Sequence, residues 1–98
     1  MTNRLLSAEE AFNWGIVTRV VPEKDFITEA KALAGQLAAG PTKAFGATKR
    51  LLQSGLTESF EAQMKNENRS ISEMARAADG REGICAFAGK RTPHFKGQ

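Results

Sequence analysis

Glycine and proline punctuate this chain at Gly15, Pro22, Gly40-Pro41, Gly55 and Gly89, and most of what lies between them carries a helical period. Ser7-Ala8-Glu9-Glu10 is a capping box, in which the Ser7 hydroxyl and the Glu10 side chain each satisfy the other's backbone amide. A short helix to Trp14 should follow, with Gly15 in the left-handed conformation that ends many helices. Ile16 to Val21 is β-branched apart from Arg19 and is closed by Pro22, which predicts one short extended segment. Phe26, Ala30, Leu33 and Leu37 then recur at helical spacing, predicting a helix over 25–39. Gly40-Pro41 ends it and opens a third, with Ala44, Phe45, Thr48, Leu51 and Leu52 on one side and Gly55 at its end. Thr57 is the expected cap of a long fourth helix striped by Phe60, Met64, Ile71, Met74 and Ala78. Asp79-Gly80-Arg81-Glu82 repeats the capping-box spacing and predicts a fifth helix carrying Ile84, Phe87 and Ala88. Lys90 to Gln98 reads as a loop or tail stiffened at Pro93. The fold class is therefore mainly α, with four or five helices and one extended segment near residues 16–21 in a single domain over 1–98.

Ninety-eight residues allow one core and make it a marginal one, because small domains bury a smaller share of their unfolded surface. The middle of the fourth helix, Lys65-Asn66-Glu67-Asn68-Arg69, is polar all round, which is weak for an isolated helix and makes better sense if it packs on something outside the chain. A net charge of +3 is too modest, and too little gathered on one helix face, for a nucleic-acid binder. No apolar run is long enough for a membrane span. One cysteine and no signal-like segment fit a reducing, cytoplasmic setting.

Little chemistry is on offer. Cys85 and His94 are the only thiol and imidazole, and they read as a small buried thiol and a surface ring rather than a catalytic pair. Glu9 with Glu10, and Glu58 with Glu61, lie near helix N-termini, where the dipole favours carboxylates. No catalytic residue and no metal-ligand set is expected. One constellation is different. Phe87 and Lys90 are three residues apart at a helix end, beside Arg91 and Pro93-His94-Phe95. An aromatic face next to a fixed cation suits a stacked base with its phosphates. On the residues alone, a core phenylalanine beside a solvated lysine remains the simpler alternative.

The ordered set Thr2-Asn3-Arg4, Ser7-Ala8-Glu9-Glu10-Ala11, Trp14-Gly15-Ile16-Val17, Val20-Val21-Pro22, Gly40-Pro41, Lys49, Glu82-Gly83-Ile84, Ala86-Phe87 and Lys90-Arg91-Thr92-Pro93-His94-Phe95 resembles the crotonase family, the enoyl-CoA hydratase/isomerase superfamily. What it matches is that family's C-terminal helical region. The resemblance implies a fragment of a larger enzyme whose spiral core, upstream, supplies the oxyanion-holding amides and the carboxylates. It implies packing of subunits into trimers or hexamers, and contact with the CoA part of an acyl-CoA substrate through Phe87 and Lys90. No separate cofactor is implied. Hydration of a trans-2-enoyl-CoA is the first expectation for the parent, with double-bond isomerisation next, and the isolated chain is expected to be inactive. The competing expectation is a helical self-association module without any CoA role.

Overall fold

The computed structural model describes residues 3–98 and contains five helices, with no strand among the described residues. Chain contacts gather it into two compact units, one up to Ala32 and one from Leu33 to Gln98.

In the first unit, α1 (Ala8–Asn13) is started by the expected box: the Glu10 amide donates to Ser7 Oγ at 3.1 Å and the Ser7 amide to Glu10 Oε2 at 3.1 Å. Arg4 adds a bond of 2.8 Å to the same carboxylate, and its guanidinium lies 5.8 Å from the centre of the Trp14 ring. Gly15 takes the left-handed conformation, φ +73°, as the sequence predicts. Residues 16–18 bend back toward α1, with the amides of Ile16 and Val17 both directed at the Ala11 carbonyl. Residues 19–22 then run without helix or strand. A β-branched run becomes a strand only when a neighbour accepts its amides, and among the described residues no strand lies beside this one. Arg19 pairs with Glu29 in α2 (Glu23–Ala38). That helix begins two residues earlier than its periodicity indicates, because Glu23 and Asp25 both suit a first turn and the Pro22 carbonyl takes the Asp25 amide.

In the second unit, α3 (Thr42–Ser54), α4 (Phe60–Arg76) and α5 (Ala78–Ala88) follow one another, with α4 packed on both neighbours. The cap of α4 is Ser59, whose hydroxyl accepts the Ala62 amide at 3.2 Å. Thr57, the residue favoured by the sequence, instead donates its hydroxyl to the Ser54 carbonyl in the preceding turn. Gln63 ties α4 to α3: its amide nitrogen reaches the Leu51 carbonyl at 3.1 Å and its oxygen accepts from Ser54 Oγ at 2.9 Å. Glu67 accepts from the same Gln63 nitrogen, so one residue of the polar middle of α4 braces this contact. A single extended residue, Ala77, separates α4 from α5. The turn is so tight that a Cβ at Gly80 would lie 1.9 Å from the Met74 carbonyl oxygen. Gly80→Ala should therefore force the two helices apart, costing about 1–3 kcal/mol, read as a lowered midpoint in urea denaturation.

Among the described residues the buried apolar ones are Ala47 and Ala86. Larger side chains stand in the open, among them Leu56 at 87%, Phe60 at 75% and Ile71 at 68% exposure. Apolar surface on this scale on neighbouring helices is typical of faces built to be covered. The purified chain should self-associate, with a sedimentation coefficient that rises with concentration. A clean monomer at high concentration would contradict this.

Candidate functional site

The end of the chain is a strap bound to α5. Asp79 lies in the first turn of that helix, almost fully buried at 5% exposure. Its carboxylate accepts the backbone amides of Lys96 at 2.7 Å, Gly97 at 2.7 Å and Gln98 at 3.1 Å, while its own amide donates to the Gln98 carbonyl at 2.9 Å. One turn on, Glu82 receives the Arg91 guanidinium on both oxygens, at 2.6 and 2.8 Å, and the His94 amide at 2.9 Å. This corrects the capping-box reading of Asp79 to Glu82. The cap position belongs to Ala77, without a side-chain bond, and both carboxylates are turned toward the tail. It also shows that 90–98, although it has no regular structure, is held in place.

These bonds decide what the two acids can do. The Arg91 guanidinium, and after it the His94 amide, holds the Glu82 carboxyl at about 2. Asp79 is also held below its usual range, first by the Lys96 amide. Arg91 is pushed up by the same pairing with Glu82. Asp79, Glu82, Arg91, His94 and Lys96 line a cleft of about 410 Å³ together with Ala78. Carboxylates so thoroughly engaged are poor general bases near neutrality, so the cleft is organised for holding rather than for proton transfer. Cys85 is exposed rather than buried, and among the described residues no hydrogen bond joins it to His94.

Phe87 and Lys90 sit where α5 ends. The Phe87 ring is 88% exposed, which removes the reading of it as a core residue of this chain. Lys90 is exposed too, and its amide donates to the Phe87 carbonyl at 3.2 Å. Among the described residues the cation seated over a ring is Arg4 over Trp14, so the open face of Phe87 is not covered by Lys90. The termination of α5 has a feature that the sequence conceals. Lys90 has φ +50°, a left-handed conformation, with Gly89 before it at φ −81°. The Lys90 amide bonds to Phe87 and the Arg91 amide to Ala86 at 3.0 Å, which is the Schellman pattern. The same pattern ends α1, where Gly15 bonds to Phe12 and Ile16 to Ala11, with glycine at the left-handed position. One chain thus uses the same motif twice, once with glycine and once with lysine. A residue with a Cβ costs about 1–2 kcal/mol there.

A sequence model of the enoyl-CoA hydratase/isomerase family matches residues 1–98. The chain belongs to the enoyl-CoA hydratase/isomerase family. It is 42% identical over 93 residues to a protein of Rhodobacter capsulatus named probable enoyl-CoA hydratase, covering 95% of this chain and 36% of that one. It is 38% identical over 93 residues to the 1,2-epoxyphenylacetyl-CoA isomerase of Escherichia coli K12, with the same coverage of 95% and 36%. The helices superpose on the crystal structure of an enoyl-CoA hydratase from Geobacillus kaustophilus HTA426 with a TM-score of 0.91 at 28% identity, covering 99% of this chain and 37% of that one. The chain therefore spans a little over a third of these crotonase-family relatives, and its five helices form a helical part of the crotonase-type fold. None of those helices is long and apolar enough to cross a membrane, among the described residues.

The strap carries a pH dependence. Glu82 in the folded chain ionises near 2 against an ordinary 4.5, so its contribution is complete above about 4.5 and is lost as the pH falls toward 2. Asp79, shifted in the same direction, adds to the loss on the acid side. The His94 amide resonance should move through this window, and those of Lys96, Gly97 and Gln98 should move as Asp79 takes up its proton, below the ordinary range of a carboxylate. Titration of these amides above pH 5 would contradict the pairing.

Proposed function

We propose that this chain is the CoA-contacting and subunit-packing segment of a crotonase-family enzyme. The parent reaction that fits best is hydration of a trans-2-enoyl-CoA, with double-bond isomerisation next. The observation that carries the reading is the end of α5, where an 88%-exposed Phe87 ring stands beside a lysine held in the left-handed conformation. Unfavourable backbone conformations persist where the surroundings over-determine them, and they gather at ligand sites. An adenine ring stacked on Phe87 and a phosphate paired with the Lys90 ammonium account for both features.

The relatives support the choice of ligand. Two proteins named for different reactions, a hydratase and an epoxyphenylacetyl-CoA isomerase, share this segment with the chain. What their named chemistries have in common is the CoA carrier rather than the acyl group. A shared helical segment suits that common part. CoA then enters as part of the substrate, not as a resident cofactor. The exposed faces of Phe60, Met64 and Ile71 on α4 are the surfaces offered to other subunits or to a catalytic core.

CoA titrated into the chain by calorimetry should give binding that Phe87→Ala weakens about 10- to 100-fold, the range of a lost base stack. Lys90→Ala should weaken it as well, and more so at low salt. The same preparation should leave crotonyl-CoA unchanged, read as constant enoyl absorbance. Binding that ignores both substitutions would overturn the assignment of these two residues, and self-association without CoA binding would favour the alternative, a self-association module without a CoA role.

A further inference from the structure

We propose that Glu82 is a positioning residue for Lys90, acting through Arg91: the Glu82–Arg91 clasp locks the left-handed turn that presents the lysine ammonium beside Phe87. This rests on the reading of Phe87 and Lys90 as CoA contacts.

The case comes from the two Schellman ends of the chain. At α1 the left-handed residue is Gly15, and the residue after it is Ile16, whose side chain cannot hydrogen-bond. At α5 the left-handed residue is Lys90, and the residue after it is Arg91, bonded through both terminal guanidinium nitrogens to Glu82, 9 residues back along the chain. The conformation that glycine adopts freely is adopted by lysine where a clasp is present. The clasp holds the residues that follow the turn, and the helix holds the one before it. Arg91 is fixed through its amide to the Ala86 carbonyl and through its side chain to Glu82. The same Glu82 oxygen takes the His94 amide, and the guanidinium also donates to the Thr92 carbonyl at 3.3 Å. Gly89, before the turn, is bonded to the Cys85 carbonyl at 2.9 Å. Lys90 is therefore bracketed by fixed residues. A lysine at a helix C-terminus also gains from the dipole, but a lysine at the Gly89 position would gain that equally without the left-handed backbone. The clasp explains the particular position.

The test is a double-mutant cycle on the full chain, read in two ways. Backbone chemical shifts report the conformation of Lys90. In Glu82→Gln they should leave left-handed values while those of Ile84 to Ala86 hold. Calorimetry with CoA as the probe reports the consequence. Glu82→Gln alone should weaken binding about tenfold, the scale of loss expected when a contact group is loosened by a fraction of an ångström. In a Lys90→Ala background the same change should alter affinity less than about twofold, because coupled residues are not additive. Arg91→Lys, which keeps the charge and loses the two-pronged bond, should reproduce both results in weaker form if Glu82→Gln disturbs the fold. Unchanged Lys90 shifts in Glu82→Gln, or independent losses from the two sites, would overturn the positioning role. Failure of the unsubstituted chain to bind CoA would overturn the proposed function instead, and the shifts would still decide whether the clasp sets the turn.

Discussion

Asp79 is a carboxylate placed almost out of water, in the first turn of α5, with three backbone amides of the chain's last residues aimed at it. A buried charge is tolerable only when its hydrogen-bonding capacity is filled. Here the filling groups are amides that would otherwise have no partner in an irregular segment. Each side of the contact therefore requires the other. The helix start contributes as well, since its positive end favours a negative group at this place. Without this contact the last residues would be the solvated tail that their composition indicates.

From that anchor the remaining geometry follows. With Lys96 to Gln98 held at the start of α5, the chain from Gly89 must return along the helix. The return brings Arg91 and His94 to Glu82. It also brings Gly97, at φ +76°, to within 2.6 Å of Thr42 Oγ1 measured from where a Cβ would stand, so the strap reaches the beginning of α3 as well. Glycine is needed there both for its backbone and for its lack of bulk. The tail thus joins α5 to α3, while α4 joins them through Gln63 and the Ala77 turn.

The apolar arrangement is of another kind. Among the described residues the buried apolar ones are two alanines, and the phenylalanine, leucine and isoleucine side chains on α3 and α4 are mostly open. The internal order of the second unit is thus supplied largely by hydrogen bonds and close backbone approach, while its hydrophobic driving force is held in reserve on exposed faces. Polar contacts specify geometry but contribute little net free energy each. Burial of the exposed faces against another surface is what would supply the missing stabilisation. This division suits a segment that covers 36% of a relative's length.

Helix positions, the Ser7–Glu10 box and the Gly15 terminus were legible in the amino-acid sequence because every group involved lies within a few residues of its partner. The role of Asp79 and Glu82 was not. Asp-x-x-Glu has the spacing of a capping box, and a local reading assigns it to one. What decides otherwise is competition: amides 17 to 19 residues from Asp79, and a guanidinium 9 residues from Glu82, take the carboxylates away from the helix start. Such competitors have no fixed spacing and leave no periodic signal. The turn at Lys90 was concealed for a related reason. Gly89 stands beside it, and composition assigns the left-handed position to the glycine. The structure gives it to the neighbour, because the register of the Schellman bonds is set by where Arg91 must lie to meet Glu82. The candidate ligand residues were visible as a pair, but the clasp proposed to position Lys90 came into view only once the tail was folded back.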